Sequence, residues 1–203
     1  MQNPNNMPSR LWFMSKGCKQ VPPDYTRGVI RWAHPDGYLL NAKGQKIALD
    51  YGPAKRKNKG GKKYPQDCNK KCYHIEVALA FYGPRPDEAE IGVTKKRSDY
   101  FCHHLNNDIF DTRPDNLLCW LTRAEHSEAD RRQRLLRKAV DGGNLYGIPY
   151  ERLRWLQDPR VTSREDFECE LAKIREQGFH HYDLDRQMEE ELSNPIQFHL
   201  HND

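Results

Sequence analysis

Residues 103–126 read HHLNNDIFDTRPDNLLCWLTRAEH. Two adjacent histidines are followed by a polar run, an apolar run and the start of a helix. Just upstream, Tyr100 to His104 (YFCHH) suits a strand, and Leu117 to Thr122 (LLCWLT) suits a strand returning beside it. Asn116 ends the loop between them, where a side-chain amide can bond backbone groups and hold a turn. Thr122 is a good N-cap, and Glu125 stands three residues after it, as in a capping box. A helix is therefore expected over 122–140, closed by Asp141-Gly142-Gly143. The stretch predicts strand, loop, strand, helix.

Adjacent side chains on a strand point to opposite faces. One histidine of the pair can then ligate a metal while the other works as a base. That is the division of labour a one-metal phosphodiesterase requires. A neutral imidazole takes a proton from water near pH 7, and a divalent cation neutralises charge on the leaving oxygen. A second ligand must come from another element, and His126 lies in the first turns of the following helix.

On these residues the chain resembles the HNH endonucleases, with their ββα-metal core. YHIEVALAFYGPRP (residues 73–86) resembles the helix that precedes the motif in phage and intron-encoded HNH homing endonucleases. The resemblance spans 73–126, extends loosely over 27–72, and leaves 141–203 uncovered. It implies a metal-dependent endonuclease that hydrolyses DNA phosphodiester bonds. It also implies His103 as a metal ligand, His104 as general base, Asn116 as the residue holding the loop and the base, and His126 as the final ligand. Glu125 is the alternative final ligand if the helix is rotated. One divalent cation is implied, Mg²⁺ first, with Mn²⁺, Zn²⁺ or Ni²⁺ as alternatives. The chain departs from the family pattern in places. Asn106 stands where Asp or a Gly-rich turn is common, Asp111-Thr112 replaces Asn-Asn, and LLCW is one residue longer than the usual spacer.

Outward from this core the expected fold class is α+β. An irregular N-terminal segment (1–26) precedes a nuclease domain (27–140, its ββα core at about 98–140), and a helical, acidic C-terminal extension (141–203) follows. Residues 27–51 suit a small β meander of two or three strands, drawn from runs near Val29–Trp32, Tyr38–Leu40 and Ile47–Leu49 around turns at Asp36-Gly37 and Lys43-Gly44. Ile75, Ala78, Leu79 and Tyr82 fall on one helix face. Helices are also expected over 149–157, 163–178 and 185–192.

Charge divides the chain. Residues 1–157 hold 28 Lys+Arg against 17 Asp+Glu, or +11, and residues 158–203 hold 5 against 12, or −7. A basic body suits double-stranded DNA as partner. Lys55, Arg56, Lys57, Lys59, Lys62 and Lys63, in a long loop, are candidate phosphate contacts, as are Arg131, Arg132, Arg134, Arg137 and Lys138 on the helix. Arg113 reads either as a DNA contact or as a partner of Asp115. His74 reads as a phosphate contact, a capping group or a buried polar group. The acidic end suits a protein partner or self-association, and truncation after Gln157 is expected to leave a protein that still cleaves.

The six cysteines do not form a disulfide framework, which suits a reducing compartment. Cys68-x3-Cys72 lacks knuckle spacing, so no structural zinc is expected, and Cys102 and Cys119 suit buried hydrophobes. No apolar run approaches the roughly 18–20 residues of a membrane span, and no secretory signal is evident. The expected location is the cytoplasm, that of a bacterial host if the chain is phage encoded. Two other functions fit the same residues. One is a non-catalytic nucleic-acid-binding protein on a degenerate HNH scaffold, and the other an accessory nuclease of phage DNA packaging.

Overall fold

The computed structural model describes residues 7–48, 64–66, 72–86 and 99–178. The elements run α1 (Arg10–Ser15), β1 (Lys19–Gln20), α2 (Pro23–Thr26), β2 (Arg31–Ala33), β3 (Leu39–Asn41) and α3 (Tyr73–Tyr82). They continue with β4 (Phe101–His104), a 3₁₀ turn (Pro114–Asn116), β5 (Leu117–Leu121), α4 (Arg123–Ala139), a second 3₁₀ turn (Asp141–Gly143), α5 (Tyr150–Gln157) and α6 (Arg164–Gln177). The class is α+β, as the sequence predicts.

The N-terminal meander is an antiparallel sheet in the order β1-β2-β3. Two expectations are corrected here. Residues 10–26 are not irregular. Ser9 caps α1 by accepting from the Trp12 backbone N–H, and Pro23 occupies the first position of α2, where the missing N–H is not needed. β1 supplies a third strand, and Ile47 and Ala48 lie outside any strand, while Leu49 is outside the described residues. Lys46 makes only an isolated bridge to Leu40, and Ile47 N–H bonds the Leu39 carbonyl.

β4 and β5 form the expected hairpin, and α4 follows at once behind the Thr122–Glu125 capping box. The hairpin has a core on each side. On one face Val21, Ala33, Leu39, Val77, Ala78 and Leu79 pack with Cys102, Leu117 and Cys119, joining the meander and α3 to the strands. On the other, Leu105, Leu118 and Leu121 pack with Leu136 of α4, Leu153 and Leu156 of α5, and Phe167, Leu171 and Ile174 of α6. Residues 141–178 thus share a core with the ββα unit, which revises their description as an extension. The helix predicted over 185–192 lies outside the described residues.

Polar ties lock these layers. Arg31 on β2 pairs with Glu76 on α3 at 2.7 Å, both buried. Arg132 of α4 is also buried, bonding Glu128 at 3.0 Å and the carbonyls of Leu156 and Thr162 at 3.4 and 3.0 Å. It is therefore a structural cation that binds α4 to the α5–α6 connection, and not the phosphate contact expected of it. The meander meets the hairpin loop through Gly37. This residue has φ +86°, and a Cβ there would lie 2.5 Å from the Arg113 nitrogen, so the turn requires glycine.

Candidate metal centre

Between its paired positions β5 carries one residue more than β4. Phe101 pairs with Leu121 and His103 with Leu118, so Cys119 and Trp120 together oppose Cys102. Trp120 takes up the excess with a positive φ of 58°. This is a β-bulge, across which the pairing shifts by one residue between Phe101 and His103. Without it, the side chains beyond Leu118 would swap faces, and the helix would start one residue out of phase with His103.

The alternation expected of the histidine pair is present. The His103 ring turns toward α4, with Nδ1 3.1 Å from Asp130 Oδ1. The His104 ring turns toward α3 and meets the ring of His74 edge-on at 5.0 Å, with the Tyr64 ring at 5.8 Å. His126 lies on α4 with Nδ1 3.4 Å from Asp130 Oδ2, and its ring is 5.6 Å from that of His103. His103, His126 and Asp130 each offer a ligand atom within 4.8 Å of the others. Glu125 is excluded from this set, because its carboxylate accepts from the Thr122 N–H and hydroxyl at 2.7 and 2.8 Å. His103, His104, His126, Tyr64, Asn107 and Gln133 line a small pocket of about 40 Å³. That is room for an ion and a water or two.

Electrostatics favour the ligating forms. Burial lowers the pKa of His126, against the opposing pull of Asp130. The hydrogen bond from His103 holds the Asp130 carboxyl below its usual range. A metal site needs neutral imidazole and ionised carboxylate.

Asn116 performs the pinning role expected of it. It is fully buried. Its Oδ1 accepts from the Asn106 N–H at 2.9 Å, and its Nδ2 donates to Asn106 Oδ1 at 2.9 Å and to the Asp111 carbonyl at 2.8 Å. The backbone adds Leu105 N–H to Asn116 O at 2.9 Å. The segment directly after His104 is thus clamped to the foot of β5. From the other side, Gln133 Nε2 donates to the His104 carbonyl at 2.6 Å and to the Leu105 carbonyl at 3.1 Å.

His74 resolves to a buried polar group. Burial above all, then His104 and Arg85, pushes its pKa down to about 3, and among the described residues its Nδ1 has no hydrogen-bond partner. The unfolded chain therefore binds a proton near pH 6.5 that the folded chain refuses until about pH 3. Stability is full above pH 6.5 and falls as pH drops toward 3. His74→Gln should shrink the loss between pH 7 and pH 5 by about 2 kcal/mol. Urea titrations of both proteins at the two pH values measure this, and an unchanged pH dependence would refute the assignment of a neutral buried imidazole.

Among the expected DNA contacts, Lys55, Arg56, Lys57, Lys59, Lys62 and Lys63 lie outside the described residues. Arg113 bonds Asp111 through Nε and a terminal nitrogen at 2.8 and 2.7 Å, and bonds the Tyr150 hydroxyl. Its carboxylate partner is therefore Asp111, not Asp115. Arg131 grips Glu128 with two bonds of 2.8 Å. Arg134, Arg137 and Lys138 are exposed along a groove of about 520 Å³ on α4.

Three site residues escaped the sequence reading: Asp130, Gln133 and Gln157. The first two had a signal. His126, Asp130 and Gln133 fall at i, i+4 and i+7, a polar stripe along one helix face. Gln157, which sets Oε1 2.9 Å from His103 Nε2, is 54 residues away in the chain and carried none.

Compared with family models, with curated proteins and with solved structures, the chain finds no match. No helix among the described residues is long and apolar enough to cross a membrane.

Proposed function

We propose that the chain is a metal-dependent endonuclease of the HNH type, which hydrolyses phosphodiester bonds of double-stranded DNA. The observation that carries the reading is the separation of the histidine pair. His103 converges with His126 and Asp130, while its neighbour His104 lines the same pocket from the opposite face of the strand.

The donor set of two imidazoles and one carboxylate fits a divalent cation. It suits Zn²⁺, Ni²⁺ or Mn²⁺ better than Mg²⁺, which prefers oxygen ligands throughout. When bound, the ion supplies a Lewis acid for phosphate oxygens and for the charge on the leaving 3′ oxygen. The protein's own groups do the rest. His104 accepts the proton of the attacking water, leaving 3′-hydroxyl and 5′-phosphate ends. Gln133 holds its carbonyl and Asn116 the two residues that follow it, which fixes the backbone that carries the ring. Arg134, Arg137 and Lys138 offer phosphate contacts along α4, with a salt-dependent affinity. The reading carries a cytoplasmic setting with it, where free cysteines persist.

The test is incubation of the purified chain with supercoiled plasmid and Mg²⁺, Mn²⁺, Zn²⁺ or Ni²⁺, with an EDTA control. Metal-dependent nicking or linearisation is expected. Asp130→Ala should weaken metal binding by at least about 10–100-fold and lose cleavage with it. Plasmid and metal binding without any strand break, under all four ions, would favour the non-catalytic alternative.

A further inference from the structure

We infer that Gln157, carried by the C-terminal helices, accepts from His103 Nε2–H when Nδ1 holds a metal ion, and so supports Nδ1 as the ligating atom. The inference rests on the metal-centre reading above.

The carbonyl oxygens of His104 and Leu105 can only accept hydrogen bonds. A glutamine amide presents oxygen on one side and NH₂ on the other, and its orientation follows from such neighbours. Gln133 places Nε2 2.6 Å from the His104 oxygen and 3.1 Å from the Leu105 oxygen. The same nitrogen lies 3.3 Å from Gln157 Oε1. Gln157 places Nε2 2.9 Å from the Leu105 oxygen, which has two lone pairs and accepts from both amides.

Gln157 must therefore turn Oε1 the other way, toward His103 Nε2 at 2.9 Å. Reversing the amide would set oxygen against the Leu105 oxygen, with no proton between them. That oxygen can take a hydrogen bond from a protonated Nε2. Gln133 Nε2 also lies 3.1 Å from this ring nitrogen, so without an ion Nε2 can accept, with Nδ1–H donating to Asp130 at 3.1 Å. An ion held by Nδ1, the atom that faces Asp130, would leave the imidazole proton on Nε2, where Gln157 accepts it.

The chain of constraint runs from backbone carbonyls to buried amides, then to the tautomer and the ligand atom. Gln157 is 0% exposed and Gln133 6%, so neither amide can satisfy itself with bulk water. Because Gln157 is the last residue of α5, docking of the C-terminal helices and metal affinity are linked.

Zn²⁺ alone, without DNA, is titrated calorimetrically into the full chain and into Gln157→Leu and Gln157→Glu, with thermal unfolding in EDTA run in parallel. Leucine removes the acceptor. Glutamate keeps an acceptor for Nε2–H but sets an oxygen against the Leu105 carbonyl. Both variants should unfold at lower temperature than the parent. Only leucine should weaken Zn²⁺ binding, by about 10–100-fold, with glutamate within a few-fold of the parent. Affinity that tracks stability in both variants overturns the inference, since a merely structural residue behaves that way. So does a folded leucine variant with parental affinity.

Long-range ¹H–¹⁵N spectra of the Zn²⁺-loaded parent provide a readout that needs no variant. Zinc on Nδ1 of His103 with a proton on Nε2 is expected, and the reverse arrangement overturns the proposal. A parent that binds no Zn²⁺ overturns the metal centre itself, and the inference with it.

Discussion

His104→Ala is expected to lower plasmid cleavage by on the order of 10²–10⁴-fold or more, the usual loss when a general base is removed. Metal binding should remain within a few-fold of the parent. The geometry makes this separation sharp. His104 is adjacent to a ligand candidate in sequence but projects from the other face of β4, onto His74 and Tyr64. The three ligand candidates keep their mutual contacts without it. Gln133 and Asn116 hold the backbone at this point through the His104 carbonyl and the Asn106 N–H, and neither bond involves the ring. Single-turnover cleavage and a metal titration on the same preparation check both halves. Cleavage within a few-fold of the parent would show that water is activated by another group. Loss of metal binding in the folded variant would show that the two histidines do not divide the work as proposed.

The second large effect is on stability. A chain ending at Gln157 is expected to lose cooperative folding, in place of the active truncation that charge alone suggests. Phe167, Leu171 and Ile174 of α6 are buried against α4 and α5. Burial of such side chains contributes roughly 1.5–3 kcal/mol each, so the three together approach the roughly 5–15 kcal/mol by which domains are stable at all. The truncation also removes the Thr162 carbonyl from the buried Arg132 guanidinium, which then retains Glu128 and the Leu156 carbonyl. Thermal unfolding followed by circular dichroism, with tryptophan fluorescence on the same sample, measures the outcome. A truncated chain with a sharp transition near that of the parent would mean that α6 is an appendage after all.

The contrast between these expectations follows from what a linear sequence can encode. Local geometry was legible. Strand alternation separated His103 from His104, the Thr122–Glu125 box set the start of α4, and Asn116 announced a pinned loop. Each of these depends on residues a few positions apart, where backbone periodicity alone decides which side chains meet. The short helices α1 and α2 and the strand β1 were missed for a related reason. Short elements carry little periodic signal, and β1 is a strand only because β2 lies beside it.

Charge counting failed where it treated basic residues as one class. Arg132, Arg131 and Arg134 are near neighbours in sequence, yet the first is buried under α5 and α6, the second is held by Glu128, and only the third is exposed. Burial is a property of the assembled layers and cannot be counted along a chain.

The sequence by itself determined the strand–loop–strand–helix unit, the opposed histidines and the helix that carries His126, because all three are consequences of backbone period and capping chemistry. The tertiary structure alone decided that the strand pairing bulges at Cys119 and Trp120, and that Gln157 reaches His103 from 54 residues away. The first depends on strand pairing and the second on how the C-terminal helices pack across the hairpin. Packing is set by the sum of many weak apolar contacts, so no single local pattern announces it.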